Sequence, residues 1–209
     1  SKIFHLFNQI CLKMEKIIRP KSKQPIPENA KKVFKGILFD VYQWEQKMFD
    51  GTKTTFEKLK RPDTVVIFPV LPDGKIILIK EQQPGTKLLL GAISGRIEKG
   101  ESVLKTAKRE LLEESGYKAI EFILWHINQP VNKVDWSIYV FVAKGLKKVA
   151  KPNLDRGERI NLKLVTFDEF IKIAANEKFN EPEIVPKLLE AKVFPEKMII
   201  LKKLFSPEY

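Results

Sequence analysis

Gly95-Arg96-Ile97-Glu98-Lys99-Gly100-Glu101-Ser102-Val103-Leu104-Lys105-Thr106-Ala107-Lys108-Arg109-Glu110-Leu111-Leu112-Glu113-Glu114-Ser115-Gly116-Tyr117 is the most informative stretch of the chain. Val103, Leu104, Ala107 and Leu111 recur at helical spacing, and Gly116 is a stop signal, so the pattern predicts a helix over about 102–115. Glu110 and Glu114 fall one turn apart on one face of that helix, and Glu113 flanks them. Like charges at this spacing repel, so three clustered carboxylates need compensation. Hard divalent cations such as Mg²⁺ supply it, because they take oxygen ligands and keep water positions for substrate phosphates. Arg109 can orient Glu101 or Glu113 through a bidentate pair. A glutamate-rich helix alone is commonly a solvated face. Here it stands in a fixed frame of glycine, five residues, glutamate, seven residues, Arg-Glu, and a closing glycine.

Working outward, Val33–Tyr42 reads as a strand, Asp50-Gly51 as a turn and Thr52–Leu59 as the returning strand of a hairpin. Thr64–Val70 and Lys75–Glu81 flank the turn Pro72-Asp73-Gly74. Leu88–Leu90 precedes the glycine-rich approach to the box. Ala119–Asn128, Trp136–Ala143 and Ile160–Thr166 read as later strands. Phe167–Glu177 reads as a helix with Asp168 as its cap, and Glu183–Leu204 as helix interrupted by Pro186 and Pro195. Strands outnumber helices, and one helix sits mid-chain between them, which predicts an α+β domain.

The chain has 209 residues, 44% of them hydrophobic, enough for one large domain. No apolar run approaches the roughly 18–20 residues needed to span a bilayer, so no membrane association is expected. The single cysteine, Cys11, excludes an intramolecular disulfide and a cysteine-rich metal site, and fits a reducing cytoplasm. Ile3, Phe4, Phe7, Ile10 and Cys11 can line one face of a short helix, and no small-residue cleavage site follows them. The formal net charge is +12, which favours anionic partners. The lysines are dispersed, with neither a concentrated basic strip nor a helix-turn-helix, so a nucleic-acid partner is not expected.

The frame of 95–117 resembles the signature of the Nudix hydrolase superfamily, with Tyr117 where an aliphatic residue is usual. The resemblance implies an α/β/α sandwich with a mixed sheet, here carrying an N-terminal β-hairpin extension. It implies Mg²⁺, with Mn²⁺ as substitute, held by Glu110, Glu113, Glu114 and the backbone at Gly95, with Arg109 and Glu101 as the orienting pair. The implied reaction is attack of water on a phosphorus of a nucleoside diphosphate derivative, with the base drawn from the box (Glu113 or Glu114) or from a later loop. The flanking sequence is similar to the ADP-ribose and nucleotide-sugar pyrophosphatase branch. That similarity makes Glu158 the first loop candidate for the base and Asp155 the second. It also implies a homodimer through the N-terminal strands. Departures occur at Glu81-Gln82-Gln83, where the branch has a Gln-Tyr-Arg-like element, and at Gly91–Gly95, where it has Glu-x-Pro-Ala-Gly. Pro130 lies near, but not at, a proline position typical of ADP-ribose enzymes.

For substrate contacts the candidates are Trp44, Trp136, Gln83 and Asp155, with Phe49 and Trp125 as further flat surfaces for a base. His126 is read as structural. The expected organisation is an extension over 1–30, the hydrolase domain over 31–180 and a helical segment packed on it over 181–209. Competing readings are a nucleoside triphosphate or RNA-cap pyrophosphohydrolase, and a non-catalytic ligand sensor or nucleic-acid-binding regulator.

Overall fold

In a computed structural model the described residues are 17–154, 156–176 and 179–207. An N-terminal sheet comes first: β1 (Lys31–Lys35), β2 (Asp40–Lys47) and β3 (Lys53–Lys60), joined by β10 (Val134–Asp135), which runs parallel to β3. The apolar run Val33–Tyr42 is thus two antiparallel strands rather than one. They reverse at Gly36, whose amide donates to the Phe39 carbonyl at 2.9 Å. A Cβ at Gly36 would lie 2.5 Å from that same oxygen, so the turn demands glycine.

The central four-stranded sheet has the order β7 (Ile93–Arg96), β4 (Thr64–Pro69), β11 (Ile138–Lys144), β9 (Glu121–Asn128). Its middle pair, β4 and β11, is parallel and its outer pairs are antiparallel, so the sheet is mixed. A three-stranded antiparallel sheet, β13 (Arg159–Val165), β5 (Ile76–Gln82), β6 (Leu89–Gly91), lies beside it. The short strands β8 (Tyr117–Lys118) and β12 (Lys147–Lys148) pair with each other.

Side-chain alternation along β4, β5 and β11 splits the core in two. Val65, Ile67, Ile77, Ile79, Tyr139 and Phe141 point to one face, where Ala107 and Leu111 of helix α1 (Val103–Ser115) cover them. Val66, Phe68, Ile76, Leu78, Val140 and Val142 point to the other. There Phe170 and Ala174 of α2 (Phe167–Ala174), Leu188 and Ala191 of α3 (Val185–Val193), and Leu201 and Leu204 of α4 (Pro195–Leu204) pack on them. Helices therefore cover both faces of the sheet layer, the α/β/α sandwich expected from the sequence.

The cap of α2 is Thr166, not Asp168. Its hydroxyl accepts from the Glu169 amide while Glu169 reaches back to the Thr166 amide, a complete capping box. Pro186 and Pro195 begin helices rather than break them: Pro195 is the first residue of α4 and Pro186 the second of α3. Among the described residues, no helix is long and apolar enough to cross a membrane.

Candidate active site

Helix α1 is held at both ends. The Ser102 hydroxyl accepts from the Lys105 amide, and Gly116 closes the helix at φ +70° with its N–H on the Leu112 carbonyl. A Cβ at Gly116 would sit 2.1 Å from the Ala150 oxygen. The following loop is pinned to the same end, the Asn153 amide donating to the Glu113 carbonyl at 2.7 Å. With Ala107 and Leu111 buried beneath, α1 presents Glu110, Glu113 and Glu114 to a cleft of about 420 Å³. Leu38, Arg61, Gln83, Ser94, Gly95, Arg96, Glu98, Arg109, Asn153 and Glu158 complete its lining.

Arg109 ties the glutamates together. Its guanidinium donates to both oxygens of Glu101, at 3.1 and 3.0 Å, and through Nη1 to Glu110 at 2.7 Å and Glu113 at 2.9 Å. Nη2 also reaches the Arg96 carbonyl, fastening β7 to α1. The Arg109 hydrogen bonds, helped by the Thr106 hydroxyl, hold the Glu101 carboxyl down at about 2. Glu101 thus serves Arg109 and is not among the residues lining the cleft.

Glu110 and Glu114 are pushed the other way. Burial raises Glu110 to about 7, with Arg109 opposing and the charges of Glu113 and Glu158 adding. Burial raises Glu114 to about 10, reinforced by Glu110, Glu158 and Glu81 and opposed by the Ser94 backbone amide. Glu114 is only 6% exposed, and its Oε2 is buried with no hydrogen-bond partner. Gly95 lies so close that a Cβ there would come within 1.9 Å of the Glu110 carboxyl.

An orphaned carboxylate oxygen, buried like charges and a bare backbone pressed against them suit a hard cation with oxygen ligands. The residues fit such an ion by their chemistry. Among the described residues, however, no three carboxylate, histidine or cysteine side chains converge on one point. Arg109 Nη1 bridges Glu110 and Glu113 instead.

The other candidates divide clearly. Glu158 and Gln83 line the same cleft. Trp136 stands behind it, its Nε1 donating to the Thr64 hydroxyl while the Arg61 guanidinium stacks 4.3 Å from its ring. Trp44 is buried on the N-terminal sheet, edge-on to Phe56, and is not a cleft residue. Trp125 packs into the core with Phe68 and Phe205, and Phe49 is fully exposed in the β2–β3 turn. His126 is half-buried, with both ring nitrogens shielded from solvent; burial and the Lys187 charge lower it to about 4, with the Glu183 backbone opposing. Asp155 lies outside the described residues.

Sequence reasoning missed Arg61 and Arg96. Arg61 Nε is buried without a partner, and burial and the charge of Arg96 lower its affinity for its proton. The segment Lys60-Arg61-Pro62 carries no local mark of function. What singles out Arg61 is its stacking on a tryptophan that lies 75 positions away.

The chain matches the NUDIX domain family over residues 60–188. It is 31% identical over 145 residues to an ADP-ribose pyrophosphatase of Bacillus subtilis, covering 68% of this chain and 78% of that one. It is 27% identical over 160 residues to a methanol dehydrogenase activator of Bacillus methanolicus, covering 75% and 86%. To the ADP compounds hydrolase NudE of Escherichia coli it is 34% identical over 100 residues, covering 46% and 53%. The crystal structure of an ADP compounds hydrolase shares the fold, with a TM-score of 0.66 at 23% identity, over 84% of this chain and 96% of that one. The family match covers more than half of the residues, and it falls on the strands, helix and loop that build the carboxylate cleft: the chain belongs to the Nudix hydrolase family.

Proposed function

We propose that this protein hydrolyses the diphosphate linkage of an ADP-derived compound, ADP-ribose or a nucleotide sugar, to a nucleoside monophosphate and a phosphorylated product. The observation that carries the reading is the cleft itself, where Glu110, Glu113, Glu114 and Glu158 face Arg61, Arg96 and Arg109. Carboxylates there suit a cation, and guanidinium groups suit phosphate oxygens. The names of the Bacillus subtilis and Escherichia coli relatives support an ADP compound as substrate.

In this reading Glu110, Glu113, Glu114 and the Gly95 carbonyl hold Mg²⁺, or Mn²⁺ in its place. Bound there, the ion supplies charge neutralisation and polarisation of phosphoryl oxygens. Arg109, oriented by Glu101, keeps the box carboxylates aimed. Arg61 and Arg96 bind the diphosphate. Glu158 takes the proton of the attacking water, with the box carboxylates Glu113 and Glu114 as the other bases to be tested. Gln83 and Asp155 contact the substrate from the rim. Trp136 offers the flat surface, and Trp44, buried within its own sheet, supports the homodimer formed by the N-terminal strands rather than the base.

The test is a panel of ADP-ribose, nucleotide sugars, nucleoside triphosphates and capped RNA, run with Mg²⁺ or Mn²⁺ and scored for monophosphate and pyrophosphate release. Release of AMP and ribose phosphate, abolished by chelation and restored by added metal, is the expected result. Preferential cleavage of triphosphates or caps would replace the substrate, and no turnover at all would remove the enzymatic reading.

A further inference from the structure

A second buried glutamate stands outside the box. Glu181 is 3% exposed and follows the segment Phe179-Asn180, which runs along β6: Phe179 bridges Leu90 in parallel, and the Asn180 amide donates to the Leu90 carbonyl at 3.0 Å. The Glu181 carboxyl oxygens lie against Gly91, where a Cβ would come within 2.8 and 2.9 Å of them. The Ala92 amide faces the same carboxyl, and Glu81 and Glu183 are the charges around it. An apolar side chain of similar length would fill this space without the cost of burying an acid.

The reason for a carboxyl here lies four residues further along the run from Gly91. Gly91 and Gly95 stand four apart on the short run that ends β6 and forms β7, and each is pressed against a glutamate, Gly91 by Glu181 and Gly95 by Glu110. Between them the Ser94 amide faces Glu114. The run is thus in contact with a buried carboxyl at its Gly91 end and with the box carboxylates at its Gly95 end. We propose that Glu181 is a positioning residue for the carboxylate cluster: seated against Gly91 and the Ala92 amide, it fixes the segment on which Ser94 and Gly95 meet Glu114 and Glu110. It touches neither substrate nor reacting atoms. The proposal rests on the hydrolytic reading given above only in what activity is measured. A displacement of about 1 Å at a reacting group costs up to roughly a hundredfold in rate, so a small shift of this run is sufficient.

The experiment compares Glu181→Gln with Glu181→Leu in the full chain, following kcat, KM and amide hydrogen exchange at Ser94 and Gly95. Glutamine keeps the shape and the acceptor, so near-wild-type values are expected. Leucine is expected to lower kcat at least tenfold with KM within about threefold, and to speed exchange at Ser94 and Gly95. If leucine prevents folding, Glu181→Asp, which withdraws the carboxyl from Gly91, is expected to give a smaller change in the same direction. Full activity with unchanged exchange at Ser94 and Gly95 in either shortened or apolar variant overturns the proposal. So does equal loss in the glutamine variant, which would make the acid chemical rather than positional. Should the wild-type protein turn over no diphosphate compound, the functional reading fails by itself, and the exchange measurement still decides the role of Glu181.

Discussion

At the scale of single residues the site is governed by what burial does to charge. Glu114 has an oxygen with no partner and three like charges acting on it. Replacing its carboxyl by an amide therefore costs the fold little while depriving the cleft of a carboxylate oxygen. Glu114→Gln is expected to lower kcat by roughly two to three orders of magnitude or more with a melting temperature equal to or above that of the wild type. Activity near wild type would refute the assignment of Glu114 to the cation. His126 offers a separate measurement, far from the box. Its pKa falls from 6.5 to about 4 on folding, so between those values the unfolded chain binds the proton and the native protein does not. The stability it confers is present above pH 6.5 and is lost as pH falls toward 4. Neutral replacement, His126→Phe, is expected to flatten the denaturation midpoint against pH over that interval, by on the order of 3 kcal/mol across it. A difference between the two curves that does not change with pH would show that the ring is not held neutral.

At the scale of elements, two glycines decide whether the carboxylates are presented at all. Gly95→Ala drives a methyl group into the Glu110 carboxyl, and Gly116→Ala combines a positive φ with a collision against the Ala150 carbonyl. The first is expected to abolish turnover, and the second to destabilise the fold by roughly 1–3 kcal/mol, read as a lowered melting temperature. If Gly95→Ala stays active, the bare backbone there has no role in the cleft. The element carrying the box was legible in sequence because everything that specifies it is local. An apolar stripe, a glycine stop and a fixed spacing lie within twenty-three residues, and the structure adds Ser102 as the cap. The same holds for the Pro72–Gly74 turn and the strands around it. Readings of single turns and caps that needed knowledge of a neighbour failed, although Gln83 and Glu158 do line the cleft. The Val33–Tyr42 run looked continuous because its composition is strand-like throughout, yet Gly36 folds it back on itself. Asp168 looked like the cap because aspartate commonly is one, but Thr166 completes the reciprocal pair with Glu169. Arg61 and Glu181 could not be singled out, since each acquires its meaning from a partner brought in by the fold, Trp136 in one case and Gly91 in the other.

At the scale of the molecule, the N-terminal sheet leaves Val33, Phe34, Ile37, Phe39, Met48 and Phe49 substantially exposed. Exposed apolar side chains on β1 and in the turns at the two ends of β2 support burial against a second copy, and buried Trp44 belongs to the same sheet. Sedimentation equilibrium of the full chain is expected to give a dimer that Phe34→Glu and Ile37→Glu together convert to a monomer; a monomeric wild-type protein would remove the role proposed for Trp44. The parallel pairing of β4 with β11 has a consequence in folding order. Ile138 lies opposite Thr64, so the pair closes a loop of about seventy residues, within which β5, β6, β7, α1 and β9 all fall. Closing so long a loop costs entropy before any core contact repays it. The carboxylate helix is internal to that loop, and its apolar face rests on the very strands whose pairing closes it. No short fragment bearing the box therefore has a floor to stand on. The cleft assembles only when the whole sheet does, and during synthesis it comes into being late, after β11 has emerged to meet β4.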